Sequence, residues 1–187
     1  SFTVDAGQAT WLRGRNGRGK TSLLRLAAGL AMPESGQITW GGVPVRQAAS
    51  MAQRLVYVAH ASALKDDLSV TESLRFLAQL HGRDDSVAGL HAALERVGMG
   101  ARRDALVRTL SQGQRRRATL ARLALEREAS LWILDEPYDA LDSDGIEAIN
   151  ALLNEHLARG GSVLLTSHQA AGASAPPMNV FDLDAFA

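Results

Sequence analysis

The 187-residue chain contains no cysteine. That absence excludes disulfides, thiolate metal sites and a cysteine nucleophile. Charge of one sign is also missing: 20 Lys and Arg balance 20 Asp and Glu. Net charge therefore gives no hint of nucleic acid or of an acidic surface as a partner. No apolar run approaches the roughly 18 residues that span a bilayer, so any membrane role must come through a partner. No internal repeat and no long low-complexity segment is visible. The first residue is Ser1 rather than Met, and an earlier native start is expected. By length the chain is one domain with a subdomain.

What is present is organised around Gly14, Arg15, Asn16, Gly17, Arg18, Gly19, Lys20 and Thr21. This octapeptide fits G-x-x-x-x-G-K-[ST], a loop that cradles phosphates. Residues Ala9 to Arg13 read as a strand before it. Behind it, Leu23, Leu26, Ala27 and Leu30 fall on one face of a helix that starts at Thr21 and Ser22 and ends near Gly29. Glycines let successive N–H groups curl toward anionic oxygens, and the helix N-terminus adds partial positive charge. Lys20 can reach the β- and γ-phosphates, and the Thr21 hydroxyl can ligate Mg²⁺.

Residues Phe2 to Asp5 alternate like a strand, and short strands are expected at Gly36 to Gly42 and at Arg54 to Ala59, ahead of His60. From about Leu68 to Arg127 there is no strand signal. Ser69 with Glu72 forms a capping-box pattern before the stripe Val70, Leu74, Leu77 and Leu80. A second stripe, Val87, Leu90, Leu94 and Val97, closes on Gly98. A second capping box, Ser111 with Gln114, opens a helix carrying Arg115, Arg116, Arg117 and Arg122. That arginine run reads as a solvated helix face. Gly113 sits in the first turn, where glycine costs roughly 1 kcal/mol against alanine. It makes sense there if another group must approach the backbone closely.

Leu131 to Leu134 is a continuous apolar strand, as expected where both faces are covered. It ends in Asp135 and Glu136. Beside a phosphate-binding loop, Asp135 can hold Mg²⁺ and Glu136 can orient or deprotonate an attacking water. A helix with Ile146, Ile149, Leu153 and Leu157 on one face follows Asp142. Ser162 to Thr166 is a last strong strand with His168 at its C-terminal edge, where ligands of open α/β sheets sit. The tail around Phe181 carries no signal. No guanine-reading Asn-Lys-x-Asp is present, which argues against a GTPase.

This order of motifs resembles the ATP-binding-cassette (ABC) ATPases from about Gly7 to Gln169. Gly14 to Thr21 matches Walker A, Leu110 to Gln114 the LSGGQ signature, and Leu131 to Asp135 Walker B. Glu136 takes the place of the catalytic glutamate. Ala140 to Asp142 matches the D-loop, and His168 the switch histidine. The resemblance implies an α/β P-loop NTPase fold: a RecA-like parallel sheet with a small antiparallel β part and an inserted helical subdomain. The nucleotide-binding core is expected at 1–67 and 128–187, with the helical subdomain at 68–127.

The resemblance also implies ATP and Mg²⁺ as ligands and a second ATPase subunit facing head to tail. Ser111, Gly113 and Gln114 would then contact the partner's ATP, with Asp142 nearby and membrane permease subunits converting closure into transport. The sequence departs from the family at His60, where a glutamine is usual, at Gln112, which replaces a signature glycine, and at Arg15, which replaces a frequent proline. The family's upstream strand and adenine-stacking aromatic are expected before Ser1.

Within the family, the His60 substitution, the Ile38 to Gly41 strand, the Gln114 to Arg117 helix start, the Leu131 to Leu134 strand and the Thr166 to Gln169 end resemble the ATPase of the haem-exporter system of cytochrome c maturation. That implies a peripheral protein on the cytoplasmic face of a bacterial inner membrane, working with a haem chaperone through the complex. No residue argues for haem binding by this subunit. The alternatives are another ABC exporter or importer, a soluble ABC ATPase, and a module that binds nucleotide without turnover.

Overall fold

The structure, a computed structural model, describes residues 2–45 and 54–186. In chain order, β1 (Ala9–Arg13) leads through the glycine loop into α1 (Lys20–Ala27). A two-stranded antiparallel ribbon follows, made of β2 (Thr39–Trp40) and β3 (Val43–Pro44), and then β4 (Leu55–Val58). Three helices come next: α2 (Val70–Leu80), α3 (Val87–Arg96) and α4 (Gln112–Leu120). The chain then returns to β5 (Leu131–Leu134), α5 (Ser143–Ala158), β6 (Ser162–Thr166) and β7 (Met178–Asp182). The five long strands are parallel and ordered β4-β5-β6-β1-β7. This is the parallel sheet with a small antiparallel part and a run of helices that the sequence implies.

Alternation divides the sheet's two faces. Leu12, Ile133 and Leu164 pack with Leu24 of α1 on one side, and Trp132, Leu134, Val163 and Leu165 join the larger core with Ile149 and Leu153 of α5 on the other. Trp132, Ile133 and Leu134 are all fully buried, which is why that strand reads as unbroken apolar sequence. Both expected capping boxes form, at Ser69–Glu72 and at Ser111–Gln114.

Four expectations need correction. Residues Phe2 to Asp5 form no strand. Phe2 and Val4 pack on the smaller core, and Phe2 stacks on Phe181 at 4.3 Å, so their alternation reflects packing without a ladder partner. The tail, silent in sequence, supplies edge strand β7, whose Asn179, exposed Val180 and Asp182 mask the apolar pattern. In α1 the deeply buried residue is Leu24. Leu30 lies beyond the helix and is exposed, because Gly29 turns the chain at φ +71°. The two helical stripes hold at their centres, but Leu80 and Val87 are exposed.

His156 is a buried titratable group away from the sheet's C-terminal edge. Its ring stacks flat on Trp132 at 3.8 Å, and its Nε2 lies 2.9 Å from the Ser130 carbonyl. Burial pulls its pKa down from the ordinary value to about 4. The folded state therefore keeps the ring neutral, while the unfolded chain protonates it below about pH 6.5. Stability from this group is complete above pH 6.5 and declines as the pH falls toward 4, by on the order of 3 kcal/mol in total. Urea midpoints measured across that window should fall with pH in the wild type and fall less in His156→Gln. Equal slopes in the two proteins would contradict this account.

Candidate functional site

The site lies at the C-terminal ends of the parallel strands. Gly19 caps α1 with φ +86° and offers no side-chain bond to the first turn, which also contains no acidic residue. A glycine in the left-handed region at this point aims the first amides of α1 outward, available to an external anion. Lys20 is buried, and its Nζ donates to the carbonyls of Gly14 at 2.7 Å and Arg15 at 3.3 Å. The ammonium thus folds across the mouth of its own loop. Asn16, Gly17, Arg18, Thr21 and Ser22 lie exposed around it.

Arg15 stands where the family often has proline, and the structure supplies a reason. Its backbone N–H donates to Asp184 Oδ2 at 3.1 Å, a bond proline lacks the hydrogen to make. The Arg18 guanidinium reaches Asp184 Oδ1 at 3.1 Å. The turn that follows β7 therefore grips the outer side of the glycine loop. Nothing in sequence could have paired residues 15 and 184, because the link is made only when β7 docks beside β1.

Asp135 is 2 % exposed, and both its oxygens are engaged by hydroxyls: Thr21 Oγ1 at 2.9 Å and Thr166 Oγ1 at 2.8 Å. Among the described residues it has no ion-pair partner within salt-bridge distance. A buried carboxylate beside a threonine hydroxyl, with no cationic side chain paired to it, suits a divalent cation that also draws ligands from phosphate oxygens. Thr166 does more than its place in the strand suggests. Its Oγ1 also accepts the Glu136 N–H at 3.0 Å.

Glu136 leaves β5 in the left-handed region, φ +52°. Its Oε2 accepts the backbone N–H of His168 at 2.8 Å, and its Oε1 lies 3.5 Å from His168 Nε2. The sheet order places β5 beside β6, so the ends of these strands meet although they are far apart in sequence. His60 follows β4, and its side chain is exposed.

The residues from Ser111 onward lie on the first turn of α4. Ser111 and Gln114 bond each other across the cap. Gly113 has a reason within this chain: a Cβ there would sit 2.5 Å from the Ala140 carbonyl oxygen. Ala140 is itself in the left-handed region at φ +59°. Asp142 caps α5 by accepting the Gly145 N–H at 3.0 Å and also pairs with Arg117. These bonds, led by that from Gly145, hold its carboxyl below the usual range.

The arginine run is not uniformly a solvated face. Arg116 is 7 % exposed. Helical spacing could have shown this, since Arg116 shares a face with Leu120, four residues on, which is fully buried.

A strand, a glycine loop and a helix at the C-terminal edge of a parallel sheet, with a buried carboxylate beside the loop's threonine, define a P-loop nucleotide-binding protein. The sequence matches the ABC transporter family over residues 1–139, and the chain belongs to that family. It is an ATP-binding, ATP-hydrolysing transport subunit of that kind. It is 45% identical over 184 residues to the cytochrome c biogenesis ATP-binding export protein CcmA of Aromatoleum aromaticum, covering 98% of this chain and 86% of that protein. The protein of the same description from Xanthomonas oryzae pv. oryzae is 47% identical over 178 residues, covering 95% of this chain and 80% of the other. A solved ATP-binding subunit of an ABC transporter superposes with a TM-score of 0.77 at 28% identity, covering 89% of this chain and 70% of that one.

Proposed function

We propose that this chain powers the haem-exporter ABC system of cytochrome c biogenesis, hydrolysing ATP between Walker A and Glu136. The relatives at 43% to 47% identity, each described as a cytochrome c biogenesis ATP-binding export protein, carry the assignment to that system. Among the described residues no helix is long and apolar enough to cross a membrane. A peripheral subunit held to the cytoplasmic face of the inner membrane by a permease accords with that.

The geometry around the glycine loop and Glu136 supports the following chemistry. Lys20 leaves the Gly14 and Arg15 carbonyls for the β- and γ-phosphates. Amides of the glycine loop and of Lys20, Thr21 and Ser22 bind the phosphate oxygens. Thr21 and Asp135 hold Mg²⁺, which when bound neutralises charge on the transferring phosphoryl group. Glu136 orients the attacking water and accepts its proton. His168 sits on Glu136 and fixes its carboxylate, while His60 closes the far side of the water site with a ring nitrogen.

Ser111, Gly113 and Gln114 present the α4 N-terminus to ATP held by a second copy, and the two contacts are reciprocal. Asp142 stations the D-loop between them. A haem chaperone is then released through the membrane complex.

Complementation tests the assignment. In a strain deleted for this gene, covalent haem on c-type cytochromes, read as peroxidase stain on gels, should disappear. The wild-type gene should restore it, and Glu136→Gln should not. Normal cytochromes in the deletion strain would point instead to another ABC exporter or importer.

A further inference from the structure

Arg116 is a buried guanidinium whose hydrogen bonds all end on backbone carbonyls. Nη2 donates to Asp135 O at 2.7 Å and Glu136 O at 2.8 Å, and Nη1 to Ala59 O at 2.9 Å and His60 O at 3.4 Å. Nε donates to Pro137 O at 3.4 Å. Burying a cation is expensive unless its donors are satisfied. Here the planar fork, with five N–H groups in fixed directions, satisfies them on two loops at once. One loop leaves β5 and carries Glu136. The other leaves β4 and carries His60. The side chain itself projects from α4, five residues after Ser111.

The Glu136 peptide is held from both sides: Thr166 Oγ1 takes its N–H and Arg116 takes its carbonyl. That matters because a non-glycine residue at φ +52° persists only where its surroundings over-determine it. If the carbonyl were released, the backbone could relax and swing the carboxylate away from its bond with the His168 N–H.

We propose that Arg116 is a positioning residue for hydrolysis. It fixes the backbones of Glu136 and His60 in one arrangement and ties that arrangement to the helix that begins at Ser111. It does not touch ATP. A tilt of α4, such as engagement of Ser111 by a partner's nucleotide would produce, is thereby transmitted to this chain's own Glu136. The proposal rests on the reading of Glu136 as the group that activates water.

The test compares Arg116→Gln and Arg116→Lys with wild type, using steady-state ATPase assays and binding of a fluorescent ATP analogue. Arg116→Gln should lower kcat at least tenfold, with the analogue's Kd changed less than threefold. Arg116→Lys, with three donors, should recover part of the loss. In a Glu136→Gln background, single-turnover hydrolysis of labelled ATP should show no further loss from Arg116→Gln, because the group it aims is gone.

A kcat within twofold of wild type for folded Arg116→Gln would overturn the proposal. So would a second tenfold loss in the Glu136→Gln background. If Arg116→Gln fails to fold, Arg116→Lys decides alone: wild-type kcat rejects the proposal, and a reduced kcat with unchanged Kd supports it. Normal turnover by Glu136→Gln itself would remove the reading of the base, and is distinguishable from failure of Arg116 alone.

Discussion

Glu136→Gln is expected to lower the rate of ATP hydrolysis by about 10² to 10⁴-fold, the range that a positioned base supplies, with ATP affinity nearly unchanged. The substitution keeps the size of the side chain and leaves an amide oxygen that can still accept the His168 N–H, now 2.8 Å from Glu136 Oε2. Basicity toward water is what it loses. Nucleotide binding depends on groups the substitution does not touch: the glycine loop, Lys20, and the Thr21–Asp135 pair. The variant should therefore accumulate in the ATP-bound state. On a sizing column with light scattering it should shift from monomer to dimer only with Mg-ATP. Turnover close to wild type would remove Glu136 from the chemistry, whatever the column showed. A protein that stays monomeric with ATP bound would mean that closure needs the permease.

Lys20→Ala should act one step earlier, on binding. Lys20 is 9 % exposed, and its ammonium already sits across the glycine loop on the carbonyls of Gly14 and Arg15. Its transfer to phosphate exchanges two neutral acceptors for anionic ones, so the ammonium gains the direct attraction of opposite charges at contact distance. Losing it should weaken ATP binding roughly 100-fold, about 3 kcal/mol, and hydrolysis with it. Calorimetric titration reads the affinity directly. Thermal melts give a second readout: saturating Mg-ATP should raise the wild-type midpoint and leave that of Lys20→Ala nearly still. An unchanged affinity would mean that the loop's amides hold the phosphates without the side chain.

The two substitutions separate binding from chemistry, and Arg116 falls between them. Its expected signature, a lower kcat at constant affinity, resembles that of Glu136→Gln rather than that of Lys20→Ala. Only the double substitution with Glu136 distinguishes a residue that aims the base from one that acts beside it.

Much of this protein was legible because its signals are local. The glycine loop, the apolar strand ending in Asp135 and Glu136, and the two capping boxes depend on neighbours within a few residues. Spacing therefore reports them, and the boxes form as the residue types demand. The sheet's strands β5 and β6 were equally plain, because burial on both faces forces unbroken apolar sequence.

Tertiary structure alone decided what those motifs touch. Asp184 reaches Arg15 and Arg18 across the whole length of the chain, from the turn after an edge strand whose polar residues conceal it. Thr166 joins Asp135 to Glu136 because β6 lies beside β5, an adjacency set by crossover topology. Gly113 admits the Ala140 carbonyl, a neighbour that only the docking of α4 brings near. Arg116, one of three identical letters in a row, becomes the buried fork between two strand ends, because helix phase turns that one inward. A side chain's type is written in the sequence, but its partners are set by which elements pack together, and a guanidinium reads alike whether it ends in water or on five carbonyls.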